Sequence, residues 1–423
     1  MPSTSGVDTD PRTPTAPAER MVELDTLRGF AVFGILVVNM AYFYNPFYPV
    51  PTHLEQGTDT IDRIVKWGLL FFAAGKFYTL FSFLFGLGMA LQMTRAQASG
   101  VPFITRYMRR LCILFLIGAA HIAFFWAGDI LTAYAVLGFP LLLFRNRSDR
   151  SILRWSVFFL ILPVVISMAL FGLIELAAKS PETAAQIEQD FASSAASYAA
   201  MYTQSLHVYA SGTFVEIAAQ RLEDIQYTSL RYLFNGNGPH IFASFLFGFL
   251  VGRWESFRMI AADIPRIRRL MGWSLAIGIV ANLVYVVAET SSHPTRPSAM
   301  GILKSASFAI GAPAFSCFYV VTILLLLRQQ RWREHLAPLS AVGRMALSNY
   351  LMQSLICTTL FYGYGLGLYG MIGPAAGLSL CVAIWMLQTG VSLWWGKRFR
   401  FGPVEWLWRS LTYLKVQPIR QKG

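Results

Sequence analysis

Apolar residues in this chain run in long blocks, without the two-residue alternation of a half-buried strand. Ten blocks stand out, at roughly 27–44, 67–93, 110–127, 129–144, 152–178, 239–252, 270–289, 300–327, 340–361 and 371–395. A helix that is apolar on all sides is a buried or lipid-embedded one, and about 20 residues cross the hydrocarbon core. The pattern therefore predicts an all-α polytopic membrane protein with about ten transmembrane helices. Blocks four and six are short, so one of them is expected to be re-entrant or unusually tilted.

Polar stretches divide the remainder. Residues 1–20 are rich in Pro, Thr, Ser and Ala and offer no apolar face, which predicts a disordered tail. Residues 21–412 read as a single transmembrane domain and 413–423 as a second tail. Between blocks five and six lies a long loop, 179–236. Its Ala-rich, weakly amphipathic patches from Thr183 to Arg231 predict interfacial helix, either a lid on the outer leaflet or a cover for a substrate.

Composition agrees with a bilayer setting. Hydrophobic residues make up 55% of the chain and charged ones 13%, against about 25% charged in soluble chains. A soluble enzyme and a secreted disulfide scaffold are excluded. The net charge of +13 is a topology signal: most of the 35 Lys and Arg fall in alternate loops. The positive-inside rule then puts both termini in the cytoplasm and 179–236 outside, in a multi-pass protein of the plasma membrane. The lipid bilayer is the expected partner, and nucleic acid is not. Cys112, Cys317, Cys357 and Cys381 all lie in or beside apolar blocks with no CxxC or Cys/His cluster, so no metal site is expected.

Ionisable groups inside spans are costly unless paired or hydrated, and so mark candidate sites. Arg28 follows Asp25 at i+3, which suits a local ion pair or a cytoplasmic grip on an anion. Asn39 lies eleven residues further on, about 16 Å deeper. Lys76 is expected just inside the outer boundary, either snorkelling or facing the bundle. His121, near the middle of block three, precedes by eight residues a Gly128-Asp129 external hairpin. An imidazole oriented by a carboxylate suits general-base work; a buried His bonded to a backbone carbonyl is the simpler alternative. The expectation is one outward-facing cavity holding His121, Lys76 and Asp129, with Asn39 on its wall. His53 reads as a solvated loop residue. Glu223, Asp224, Asn235, Asn237, His240 and Lys304 are further outer-side polar groups. Asn349 and Gln353 share one helical face on the inner side.

Several blocks resemble the YeiB-like bacterial membrane proteins, a family described as a domain of unknown function. They are Leu24-Asp25-Thr26-Leu27-Arg28-Gly29 with Asn39, Lys76-Phe77 through Phe85-Gly86, His121 through Gly128-Asp129-Ile130-Leu131, Gly343 through Gln353, and Gly402-Pro403 through Arg409. They occur in family order from residue 24 to 412. A wider resemblance reaches transmembrane acyltransferases such as heparan-alpha-glucosaminide N-acetyltransferase, whose first span also opens on a D-x-x-R-G-like sequence. In many polysaccharide acetylases of that superfamily a His stands eleven residues after the Arg, where this chain has Asn39. In the glucosaminide enzymes the His comes in the following loop, where His53 falls.

This wider resemblance implies acyl transfer from cytoplasmic acyl-CoA, a donor rather than a resident cofactor. The acceptor would be an extracytoplasmic hydroxyl or amine, on the cell envelope or on a small molecule. In that scheme Arg28, Arg109 and Arg110 hold the CoA phosphates. His121, oriented by Asp129, deprotonates the acceptor, and Lys76 or Asn39 stabilises the oxyanion. The alternatives are a transporter or exporter of a small amphiphile using the same polar groups, and a non-catalytic membrane scaffold.

Overall fold

The structure, a computed structural model, describes residues 21–49, 59–234, 237–254, 263–293 and 295–421. The tail at 1–20, His53 and Asn235 lie outside these residues. Among the described residues the regular structure is helical, apart from a single β-bridge between Phe399 and Arg420.

The first helix, α1 (Val22–Tyr44), runs through the interior, with Leu27, Ala31, Leu36 and Phe43 buried. It crosses α13 (Ala337–Arg344) through two glycines. A side chain on Gly29 would strike the Leu339 carbonyl, and one on Gly343 would strike that of Asp25. Close backbone approach of this kind replaces the hydrophobic driving force that lipid removes. The same device joins α3 (Lys76–Ala98) to α9 (Asn237–Arg253), where Gly86 faces the Phe245 carbonyl and Gly248 that of Phe83. On the far side α10 (Ile264–Ser291) and α11 (Ala299–Leu326) form a hairpin, pinned by Asn282 Nδ2 donating to the Gly311 carbonyl at 3.1 Å.

Among the described residues, seven candidate spans are long and apolar enough to cross a membrane by length and composition. The rest of the ten blocks fall on shorter helices: α5 (Leu131–Leu141, prolonged by a 3-10 turn to Phe144), α9, and α14 (Ala346–Phe361). Two expected blocks are broken. Block two divides into α2 (Thr60–Phe72) and α3 at Ala73-Ala74-Gly75. Gly75 has φ +82°, and the Phe308 ring stands 2.5 Å from where its Cβ would lie, so only glycine fits the bend. Block ten starts after α14 has ended, as α15 (Pro374–Gly396). Block nine divides at Met345 into α13 and α14.

The expected outer loop is two long helices, α7 (Pro181–Ser211) and α8 (Phe214–Phe234). They are held down by Asp224 of α8, whose carboxylate accepts from Tyr48 Oη (3.0 Å), Tyr209 Oη (2.7 Å) and Gln220 Nε2 (3.0 Å). The last helix, α16 (Pro403–Tyr413), lies at the N-terminal ends of α4 (Phe103–Phe124) and α14. Peripheral α6 (Asp149–Ala177) buries almost nothing of its length, as a lipid-facing helix should.

Candidate functional site

His121 stands in the final turn of α4, nearer the helix end than the sequence reading placed it, because α4 starts at Phe103 and stops at Phe124. The chain then turns through 125–130, a longer connection than the two-residue hairpin expected, before α5 begins. The turn is tied at both ends. The amides of Phe125 and Trp126 donate to the His121 carbonyl at 2.9 and 3.1 Å. Asp129 Oδ2 accepts from the Thr132 amide (2.7 Å) and hydroxyl (2.9 Å), satisfying the first turn of α5.

That leaves Asp129 Oδ1 facing His121 Nδ1 at 2.9 Å, with both side chains fully buried. On the other edge of the ring, His121 Nε2 lies 2.8 Å from the hydroxyl of Ser354, a fully buried residue of α14. An ionised carboxylate only accepts, so Nδ1 carries the proton and the Nε2 lone pair faces the serine. The result is a carboxylate–imidazole–hydroxyl relay, the arrangement by which an oriented base activates an oxygen nucleophile. Tyr350, one turn before Ser354, flanks the imidazole with ring centroids 5.3 Å apart. Its hydroxyl accepts from the Ile130 amide at 3.4 Å.

Ser354 has no distinguishing mark in the sequence. Buried serines in these helices commonly bond the carbonyl one turn back, as Ser244 does to His240 and Ser316 to Ala312. Only the packing of α14 against α4 shows that Ser354 meets an imidazole.

Lys76 keeps different company. It is fully buried at the α2–α3 break, where Nζ donates to the Leu70 carbonyl at 2.8 Å and lies 5.4 Å from the Tyr285 ring centre. Leu70 is in the last turn of α2, so the lysine satisfies a carbonyl the helix cannot. These contacts are made to α2 and α10, whereas those of the relay are made to α5 and α14. Asn39 is half-buried on α1 and makes no side-chain hydrogen bond among the described residues.

On the face expected to be cytoplasmic, Arg28 pairs with Asp25 at 2.9 Å. Arg109 Nη1 donates to the Thr412 carbonyl (3.0 Å), and the Arg110 guanidinium lies 3.9 Å over the Trp408 ring. Both of these arginines hold α16 against α4. From α16, Glu405 accepts from the amides of Leu347 (2.7 Å) and Ser348 (3.1 Å) and from the Ser348 hydroxyl. It thus caps the N-terminus of α14, the helix that carries Ser354. Deeper in the bundle Asn349 and Gln353 meet two residues the sequence reading did not single out. Asn349 Nδ2 donates to Ser392 Oγ (3.0 Å), Gln353 Nε2 to Gln388 Oε1 (3.0 Å), and Gln388 Nε2 to the Asn349 carbonyl (2.7 Å).

Among the outer-side groups, His240 Nε2 is 2.9 Å from the Thr79 hydroxyl, Lys304 pairs with Glu289 at 3.0 Å, and Glu223 accepts from Gln204 at 3.1 Å. Tyr78 Oη donates to Asn237 at 3.3 Å. The four cysteines are free thiols, and no metal-holding cluster occurs among the described residues.

Apolar, lipid-facing helices around an enclosed polar relay define an all-α polytopic membrane protein. A family described as "Protein of unknown function (DUF418)" matches residues 251–415, the part that holds Ser354 and Glu405. Over 429 residues the chain is 38% identical to the uncharacterized protein YxaH of Bacillus subtilis, covering 97% of this chain and 98% of that one. It is 29% identical over 412 residues to the uncharacterized protein YeiB of Escherichia coli, covering 96% and 99%. The chain belongs to this YeiB-like family of membrane proteins.

Proposed function

We propose that this protein is an integral-membrane acyltransferase that moves an acyl group from cytoplasmic acyl-CoA to an extracytoplasmic hydroxyl or amine. The buried Asp129–His121–Ser354 relay carries this reading. His121 Nε2 takes the Ser354 proton as Oγ attacks the thioester carbonyl. The C–S bond breaks, the thiolate leaves with that proton, and an ester on Ser354 remains. The acceptor, deprotonated by the same imidazole, then displaces the ester and restores the serine. Asp129 holds the tautomer throughout and stabilises the imidazolium.

Arg110 and His121 are eleven residues apart on α4, about 16 Å along the helix, a gap that an extended pantetheine arm bridges. Of the three inner-face arginines, Arg109 and Arg110 are engaged with α16 and Arg28 is over a third exposed. Arg28 is therefore the first candidate for the donor phosphates. A second reading, transport of a small amphiphile, is favoured by the buried amide ladder of Asn349, Gln353 and Gln388.

The test uses purified protein in nanodiscs. Acyl transfer predicts that Arg28→Ala weakens acyl-CoA binding, while His121→Ala and Ser354→Ala preserve binding and abolish transfer. If wild type binds no acyl-CoA, while His121→Ala abolishes uptake or export of a solute, the transport reading replaces it.

A further inference from the structure

Arg221 lies on α8, which is not among the candidate spans, and is only 1% exposed. Its Nη1 donates to the Phe125 carbonyl at 2.9 Å, and its guanidinium carbon is 5.4 Å from the centre of the Phe214 ring. Its Nε and Nη2 have no partner, and no carboxylate pairs with it among the described residues. The acids nearest along α8 are already committed: Asp224 to two tyrosines and a glutamine, and Glu223 to Gln204. A guanidinium cannot shed its charge, and an uncompensated buried cation is strongly unfavourable. A second buried donor, Trp126 Nε1, is also unpartnered, in the residue that follows Phe125.

Which edge is free matters. Nη1 is taken by the carbonyl, so the unused donors are Nε and Nη2, whose N–H bonds run parallel. That edge matches the two oxygens of a carboxylate or phosphate in a bidentate pair. We propose that the Nε/Nη2 edge of Arg221 is an oxyanion-binding site on the outer face, receiving the carboxylate or phosphate of an extracytoplasmic ligand. The Phe125 that Arg221 holds is the residue whose amide bonds the His121 carbonyl. A ligand anchored there stands next to the relay. Because Arg221 is enclosed, loading requires the side chains around its Nε/Nη2 edge to part while Nη1 keeps the Phe125 carbonyl. The inference goes beyond acyl transfer and does not depend on it, since binding is measured without any reaction.

The oxyanion has two sources, a free anion or the headgroup of an anionic lipid. Thermal unfolding of wild-type protein is followed with inorganic phosphate or acetate in neutral nanodiscs, and separately in phosphatidylglycerol against phosphatidylcholine nanodiscs. A saturable rise in Tm is expected in one arm: with added anion if the ligand is soluble, with phosphatidylglycerol if it is a lipid. Arg221→Gln should lose that rise and Arg221→Lys retain part of it. No saturable rise in any arm for wild type overturns the proposal, whatever the variants do. So does a rise that Arg221→Gln keeps in full.

Discussion

Gly118 lies directly against Asp129: a Cβ on Gly118 would stand 2.8 Å from Asp129 Oδ2 and equally close to the Thr132 amide. Gly118 precedes His121 by three residues, on the same face of α4. The absent side chain thus makes room for the carboxylate that orients the imidazole. Gly118→Ala is expected to push the 129–132 turn away and cost about 1–3 kcal/mol. The decrease in Tm should come with a loss of activity comparable to that of Asp129→Asn. Unchanged activity in a folded Gly118→Ala protein would separate Asp129 from the chemistry.

His121→Ala and Ser354→Ala should differ in stability while agreeing in activity. Removing His121 strands two partners, the Asp129 carboxylate and the Ser354 hydroxyl, for a cost of about 2–4 kcal/mol. Removing Ser354 strands one neutral nitrogen, about 1 kcal/mol. In a transfer assay each should lower the rate by about 10²-fold or more. Thermal melts and single-turnover kinetics on the same preparations check both halves.

Glu405→Ala should loosen α14 from its N-terminus. Two backbone amides and a hydroxyl lose their acceptor together, costing about 1–3 kcal/mol. Hydrogen exchange should rise at Leu347 and Ser348 first, with Glu405→Gln intermediate.

Burial holds the Asp224 carboxyl above the usual carboxylate range, and its bonds from Tyr209, Gln220 and Tyr48 only partly offset this. A carboxyl raised in the folded state favours folding at low pH, and that contribution is lost as pH rises through the folded-state value. Relative to Asp224→Asn, wild-type stability should therefore decline as pH climbs from about 4. Parallel melts between pH 4 and 8 give the difference directly; a difference that grows with pH contradicts the sign.

Reporter fusions after residues 146 and 260 should read cytoplasmic, and those near 200 and 295 external. A cytoplasmic signal from the α7–α8 segment would invert the topology.

The bilayer setting was legible because apolar runs and the alternation of arginine-bearing loops are properties of the chain itself. So was the His121–Asp129 pair, whose partners are eight residues apart and joined by a turn. The break at Gly75 was hidden because glycine is ordinary inside spanning helices; only the Phe308 ring beside it shows that the position is special. Ser354 and Arg221 were missed for a related reason. What distinguishes the serine is the imidazole it meets 233 positions away in sequence. What distinguishes the arginine is an acid it fails to meet, and spacing along a chain records neither. Lys76 shows the converse: an intramembrane cation that looks like a site satisfies a carbonyl six residues back.

The Glu405 clasp on α14 also fixes an order of assembly. The ribosome delivers Leu347 to the membrane 58 residues before the carboxylate that will hold its amide. Until α15 has been threaded and α16 has emerged, α14 waits with its leading turn unsatisfied. A nascent chain stalled ahead of residue 405 therefore carries the amides of Leu347 and Ser348 without the carboxylate that closes their turn.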